Sequence, residues 1–336
     1  MGEPVNIRRS SALIALVMLT MATPVFYLLQ IWPKQKSDHE AVVFRIAQGA
    51  SLTQVADELA VIGLTDSPVL FRLYARISGS DRGLRAGTYK VPSRQNAREL
   101  IALFSSGKVQ QHAIRLPEGM NLRVVMALLA EQGVLKHRSM GWQHLQDELD
   151  LDLPFAEGAF FPDTYFVTAG ATDLSVLQRA HDALLMQLQR AWRLRADNLA
   201  VASPAQALIL ASIIEKESDA PEDRRQISQV FHLRLKKNMK LQTDPTVIYA
   251  LGENFDGDIR RRDLRVDSPF NTYRYKGLPP TPIALPSLAS IQAAVNPADG
   301  DYLYFVARGD GTSQFSRTLE EHNAAVRRYQ LSKGGS

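Results

Sequence analysis

Phe44-Arg-Ile-Ala-Gln-Gly-Ala-Ser-Leu-Thr-Gln-Val-Ala-Asp-Glu-Leu-Ala-Val-Ile-Gly63 aligns without gaps on Ile114-Arg-Leu-Pro-Glu-Gly-Met-Asn-Leu-Arg-Val-Val-Met-Ala-Leu-Leu-Ala-Glu-Gln-Gly133, with seven of 20 positions identical. A looser copy runs from Tyr89 to Gly107. Each copy reads as a short strand, a polar turn, a capped helix and a closing glycine. Ser51 and Asn121 are N-cap types, whose side-chain oxygens take free N–H groups of the first turn. Gly63, Gly107 and Gly133 suit the left-handed residue that follows a helix. Strand–turn–helix units in series predict an α+β chain. They set a small module at residues 41–110 and a larger mixed domain at 111–330, with a tail at 331–336.

Upstream of the first copy, Ser10 to Trp32 is a run of 23 residues without a charge. Roughly 20 suffice to cross a bilayer as a helix. Arg8 and Arg9 precede the run, so the positive-inside rule keeps residues 1–9 in the cytoplasm and exports the rest. Tyr27 and Trp32 are expected at the far interface, where amphipathic rings are favoured. A cleaved signal would have a shorter apolar region and a small-residue cleavage site, which Met21-Ala22-Thr23-Pro24 matches poorly. Residues 33–40 read as a polar linker. The expected location is the inner membrane, single-pass, with the bulk of the chain in the periplasm.

Apolar residues are 45% of the 336 and charged residues 22%, an ordinary globular balance. With no cysteine there is no disulfide, thiolate metal site or cysteine nucleophile. The net charge of +4 is too small to mark a nucleic-acid binder. The basic run Arg260-Arg-Arg-Asp-Leu-Arg265 lacks interleaved aromatics and reads as a solvated face. The seven histidines lack metal-ligand spacing, and no GxSxG or HExxH occurs. No metal and no cofactor is called for.

The clearest physics lies in Ser203-Pro-Ala-Gln-Ala-Leu-Ile-Leu-Ala-Ser-Ile-Ile-Glu-Lys-Glu-Ser218. Ser203 is an N-cap, Pro204 suits the first helical position and Gln206 completes a capping box. The body is apolar nearly all round, so the helix should be buried. At 100° per residue Leu210, Ile213, Ile214 and Glu217 share a face, while Glu215 points roughly the opposite way. An apolar surround and the negative helix end both disfavour a charged Glu217, and a glutamate protonated near neutral pH suits a glycosidic general acid. On this segment alone, the plainer reading is a solvated polar helix end with Lys216 as a partner of the two glutamates.

Other segments also admit two readings. Glu157-Gly-Ala-Phe-Phe-Pro-Asp-Thr-Tyr-Phe-Val167 is either core packing or a sugar-stacking platform. Thr172 to Arg195 shows helical periodicity. In Lys240-Leu-Gln-Thr-Asp-Pro-Thr-Val-Ile-Tyr249, Asp244 before Pro245 reads as an N-cap or as a ligand, while Gln242 and Thr243 are free to hydrogen-bond a ligand. Asp267 to Ile283 is a proline-stiffened loop, either a binding edge or a connection. Tyr302 to Ala307 is a strand, and Leu319 to Tyr329 a closing helix.

These motifs in series resemble the endolytic murein transglycosylase family, also called YceG-like or MltG. The matches are Arg115-Leu-Pro-Glu-Gly119, Glu157 through Tyr165, Ala211-Ser-Ile-Ile-Glu-Lys-Glu217, Leu241-Gln-Thr-Asp-Pro-Thr-Val-Ile-Tyr249, Asn271-Thr-Tyr273, Gly277-Leu-Pro-Pro280, Tyr304-Phe-Val306 and Glu321-His-Asn323. The order covers roughly residues 40–330. The resemblance implies cleavage of the peptidoglycan glycan strand within the chain, at the bond from N-acetylmuramic acid to N-acetylglucosamine, leaving 1,6-anhydro ends. It maps the catalytic acid, then base, onto Glu217. It makes Glu157, Phe161, Asp163, Tyr165, Gln242, Thr243, Asp244, Tyr249, Asn271, Thr272 and Tyr273 the candidate substrate-binding residues. The module at 41–110 resembles a LysM-like glycan-binding unit. Penicillin-binding synthases are the implied protein partners. Departures are Thr281, where the family usually has glycine, Leu285-Pro-Ser287 in place of Asn-Pro-Gly, and a missing histidine near Gln314. Two other classes stay open: a two-carboxylate hydrolase using Glu217 with Asp244 or Glu157, and a non-catalytic peptidoglycan-binding scaffold.

Overall fold

A computed structural model describes residues 5–217, 220 and 222–331 as a mixed α+β chain. It divides into two compact units that meet in sequence at His112 and Ala113. In the first, helix α1 (Val5–Phe26) runs on through a wide turn at Tyr27–Ile31 and a tight one at Trp32–Lys34. There follow β1 (Val42–Ile46), α2 (Leu52–Val61), α3 (Pro68–Ile77), β2 (Gly87–Val91) and α4 (Ala97–Ser106). Strands β1 and β2 pair antiparallel, with Val42 opposite Val91 and Ile46 opposite Gly87. Alternation sends Phe44, Ile46, Tyr89 and Val91 inward, where they pack with Leu59, Phe71, Leu100 and Phe104.

The repeat read from the sequence is present as β1–α2, β2–α4 and the pair formed by β3 (Gln111–Arg115) and α5 (Leu122–Ala130). Each copy places a left-handed residue two positions before its helix cap: Gly49 before Ser51, Arg94 before Asn96, Gly119 before Asn121. The cap oxygens accept from Gln54, Glu99 and Val124 backbone N–H groups. Gly63 and Gly107 adopt the expected left-handed conformation. Gly133 does not, because α5 ends at Ala130 and its last carbonyls are met by the Glu131 N–H.

Two expectations at the amino end change. Trp32 is 7% exposed and sits in the module core with Leu28, meeting Tyr74 edge-on at 6.4 Å, instead of at a membrane interface. Residues 33–40 are no free linker either. Pro33 and Ser37 are buried, the Ser37 hydroxyl donates to the carbonyls of Gln95 and Leu64, and Lys36 bridges to Asn96.

The second unit adds α6 (Leu145–Glu148), β4 (Thr164–Thr168), α7 (Asp173–Arg193), α8 (Pro204–Glu217), α9 (Arg224–Lys236), α10 (Asp244–Leu251) and α11 (Leu288–Val295). It closes with β5 (Tyr304–Ala307), β6 (Ser313–Ser316) and α12 (Leu319–Val326). Strand β4 lies beside β3, and β5 pairs antiparallel with β6. Helix α8 is the hub. Every residue from Ala207 to Ile214 is buried, and α7, α9, α10 and α11 pack around it. That is the outcome required by a helix apolar on all sides.

Candidate functional site

The hub helix starts where its sequence says. Ser203 Oγ accepts the Gln206 N–H at 3.2 Å, but the Gln206 side chain reaches the Ala202 N–H, one residue short of a capping box. At the other end three consecutive side chains leave in three directions. Glu215 turns to α11, accepting from the Ser287 N–H and hydroxyl, with Arg224 at 3.7 Å. Lys216 donates to the Gly119 carbonyl. Glu217 turns to the segment before α10 and accepts from the Thr243 hydroxyl. The two glutamates therefore separate as the helical geometry predicts. Glu215 is a buried structural tie, and neither glutamate is a freely solvated helix end.

The Thr243 hydroxyl is aimed by a polar clasp between two loops. Thr243 N–H donates to Thr272 Oγ1 at 3.1 Å, and Gln242 N–H to the Thr272 carbonyl at 3.2 Å. Thr246 Oγ1 donates to the Thr243 carbonyl and lies 2.8 Å from Thr272 Oγ1. Gln242 occupies the left-handed region, φ 54°, which turns the chain into α10. Asn271, fully buried, holds the other loop. Its amide donates to the carbonyls of Leu264 and Val266, and its oxygen accepts the Tyr273 N–H. Asn271, Thr272 and Thr246 are thus scaffold for the two loops.

Asp244 is not an N-cap. The cap position is Thr243, and Asp244 is the first helical residue with its carboxylate turned to the Tyr273 hydroxyl at 2.6 Å. Proline at the second position leaves the N-cap geometry to its neighbour, so the acid is free to face the cavity.

Glu217, Arg234, Gln242, Asp244, Tyr273, Tyr304, His322 and Asn323 line one cavity of about 550 Å³. Withdrawal from water pushes the Glu217 carboxyl up to about 7, aided by the Asp244 charge and opposed by the Thr243 hydrogen bond and the Arg234 charge. Arg234 is buried, donates to the carbonyls of Leu303, Lys240 and Leu241, and lies over the Tyr304 ring. His322 stacks on the same ring at 5.3 Å, and burial together with Arg234 keeps its imidazole below its ordinary value, hence neutral at pH 7. Burial likewise raises the Tyr273 phenol, which stays protonated as a donor. The cavity therefore holds one protonatable acid near neutrality, one fixed cation and several hydrogen-bonding rings. Among the described residues no group of three or more histidine or acidic side chains is placed to hold a metal.

The remaining sequence candidates lie elsewhere. Glu157 accepts the Leu122 N–H at 2.9 Å and the Tyr249 hydroxyl at 2.9 Å, completing the cap of α5. Glu157 and Tyr249 line a separate cavity of about 340 Å³, with Trp142, Arg123 and Lys216. Phe161 packs against the main core, and Tyr165 is buried with its hydroxyl on the Phe161 carbonyl. Asp163 is exposed beside β4, its carbonyl accepting the Leu116 N–H. For Phe161 and Tyr165 the core-packing reading of the aromatic stretch applies.

Arg234, Tyr304 and His322 were not among the sequence candidates. A signal for Arg234 exists: it prolongs the buried stripe Ile227, Val230, Phe231 on α9. Tyr304 and His322 lie in two of the motifs that carry the family resemblance, Tyr304-Phe-Val306 and Glu321-His-Asn323, but only the packing of β5 and α12 brings them to the cavity.

A family model described as the YceG-like family matches residues 44–328. The endolytic murein transglycosylase of Bacillus subtilis (strain 168) is 32% identical over 321 residues, covering 90% of this chain and 88% of that protein. The protein of the same name from Streptococcus pneumoniae (strain R6) is 26% identical, covering 92% of this chain and 62% of its own length. A crystal structure of a YceG-like protein of Listeria monocytogenes, 30% identical, superposes with a TM-score of 0.53 over 85% of this chain and 98% of that one.

Proposed function

From the chain's membership in the YceG-like family, we propose that it is a membrane-anchored endolytic lytic transglycosylase of peptidoglycan, with Glu217 as its acid and then its base. The observation that carries this reading is a carboxyl poised at about 7 on the wall of a cavity wide enough for sugar rings. A pKa near the working pH lets one group give a proton and take it back.

The reaction on this reading uses one carboxyl throughout. Glu217 protonates the glycosidic oxygen, and the bond from carbon 1 of the muramic sugar to that oxygen breaks. The 2-acetamido oxygen of the same sugar assists departure by closing on carbon 1. The Glu217 carboxylate then takes the proton of the sugar's 6-hydroxyl, whose oxygen attacks carbon 1 and releases the acetamido group. The products are a free 4-hydroxyl on one sugar and a 1,6-anhydro ring on the other. No water is consumed, and Glu217 ends protonated as it began. Arg234 offsets the charge that Glu217 carries between the two steps, and Thr243 stabilises that carboxylate by donation. Gln242, Asp244 and Tyr273, which line the cavity, hydrogen-bond the substrate on this reading.

The membrane placement rests on α1. Leu16–Lys34 is apolar enough to cross a bilayer, and its side chains from Leu16 to Tyr27 are exposed. The inner membrane, a periplasmic catalytic unit and penicillin-binding synthases as partners belong to the same proposal. So does a LysM-like, glycan-binding role for residues 41–110, supported by two helices set between antiparallel strands.

A hydrolase reading is favoured by one observation, that Asp244 lines the same cavity as Glu217. Glu157 has no such claim, since both its oxygens are engaged at the cap of α5 and at Tyr249. The test is digestion of purified peptidoglycan by the full chain and by its Glu217→Gln variant, read by mass spectrometry. Anhydro-muramic ends from the native protein alone are expected. Reducing ends instead would turn attention to Asp244, and equal cleavage by both proteins would remove Glu217 from its role.

A further inference from the structure

The uncharged run Ser10–Trp32 is longer than the part of it that lipid can reach. Leu28 is 5% and Trp32 7% exposed, both locked into the module core beside Phe71 and Ala75 of α3. If the bilayer begins at Ser10, only the 18 residues to Tyr27 remain for it. At 1.5 Å per residue they span about 27 Å, a little short of the roughly 30 Å hydrocarbon layer. The module therefore starts where the hydrocarbon has not quite ended.

Helix α3 is the element that flanks this junction, touching the Tyr27–Ile31 turn. Its inward face is Phe71 and Ala75, with Tyr74 against Trp32. Its outward face carries Val69, Leu73 and Ile77, at 58, 43 and 50% exposure. Spaced by four, they form one apolar stripe. Ile31, also exposed, lies in the turn at the end of the anchor that α3 touches. Arg76 and Arg82 are exposed at the end of the same helix and in the loop beyond it, where cations suit anionic headgroups.

We propose that the α3 stripe lies in the outer interfacial layer of the membrane that α1 crosses, so that anchor and module form one body seated on lipid. This rests on the reading of α1 as an anchor. The occupant of the stripe is the bilayer itself, because α3 touches the turn that ends the anchor, and the anchor alone falls a little short of the hydrocarbon thickness. The consequence for function is a module held at a fixed height, with no slack between it and the lipid.

The absence of native cysteine permits a direct test. Single-cysteine full-length chains, Leu19→Cys in the anchor, Leu73→Cys and Ile77→Cys on the stripe, and Lys90→Cys on the sheet, carry an environment-sensitive fluorophore. They are placed in nanodiscs of phosphatidylethanolamine and phosphatidylglycerol. The labels at 73 and 77 should be quenched by shallow nitroxide lipids and protected several-fold from aqueous iodide relative to the label at 90. The label at 19 should be quenched by deep nitroxides. Iodide access at 73 and 77 equal to that at 90, with 19 in lipid, overturns the inference and leaves the anchor. Iodide access at all four positions removes the anchor and the inference together.

Discussion

At the scale of single residues, Glu217 ties chemistry to stability. Its side chain is half-buried at the negative end of α8, and its carboxyl sits at about 7. On the proposed mechanism it acts first as a general acid and must be protonated, so kcat/KM should fall as pH rises through about 7, tenfold per unit beyond it. The same shift carries a folding cost. In the unfolded chain this carboxyl releases its proton near pH ~4.3. Between there and about 7 the folded state holds a proton that the unfolded state does not, so stability declines as pH rises across that window. Glu217→Gln removes the dependence. The variant should lose cleavage by about 10²–10⁴-fold, and at pH 8 should be more stable than the native chain by about 1–3 kcal/mol, with no gain at pH 4. Urea titrations at the two pH values check the second part. Thr243→Val takes away the donor that favours the ionised form, so the alkaline limb of the rate profile should move to higher pH.

Some of this was legible in the sequence. The phase of Glu217 against Leu210, Ile213 and Ile214 is a local property, and helical periodicity carries it. The direction of Asp244 was not legible, because an aspartate before proline has the composition of a helix cap whether or not it caps. Thr243 takes the cap position, and a tyrosine 29 residues away claims the carboxylate. Arg234 carried a signal in its buried stripe, yet its guanidinium is fixed by carbonyls from two other segments.

Among the elements, two loops bear the site. The clasp of Thr243 on Thr272 depends on Asn271, which is fully buried and satisfies two carbonyls and one N–H. Asn271→Ala should cost about 2–4 kcal/mol by leaving those groups unpaired, and activity should fall further than folding, since Thr243 is no longer aimed. Calorimetry with a parallel activity assay separates the two. Gly158 is a second fixed point. Its φ is +70°, and a Cβ there would meet Pro282 Cβ at 2.4 Å and the Ala284 carbonyl at 3.0 Å. Gly158→Ala should therefore destabilise the unit by at least about 1–3 kcal/mol, through strain and displacement of the Pro282 loop. The departures of that loop from the family pattern have simple accommodations. Thr281 bonds its own neighbour's carbonyl, and Ser287 caps α11 while holding Glu215. In the repeat, Arg94 takes the left-handed position held elsewhere by Gly49 and Gly119. Sequence alignment shows the glycines, but only backbone geometry shows that the arginine copy makes the same turn.

For the molecule as a whole, the amino end sets the terms. A run of apolar residues bears no mark of where lipid contact stops and core contact starts, which is why Trp32 reads from sequence as an interface residue and proves to be core. Trp32→Ala should cost the first unit about 3–5 kcal/mol, a penalty that a lipid-facing tryptophan would not incur. The larger unit packs around α8, and on the proposed reading the last residue of that helix is its acid, so one buried element would supply both.

On the proposed mechanism Glu217 gives its proton to the oxygen of the leaving sugar and regains one from the 6-hydroxyl of the muramic sugar, and no water is consumed. Digestion of peptidoglycan by the full chain in water enriched in ¹⁸O tests it most directly. Muramic ends lighter by one water and free of the label are the predicted result. Ends of full mass carrying ¹⁸O would contradict it, and would identify water as the nucleophile in the cavity beside Glu217.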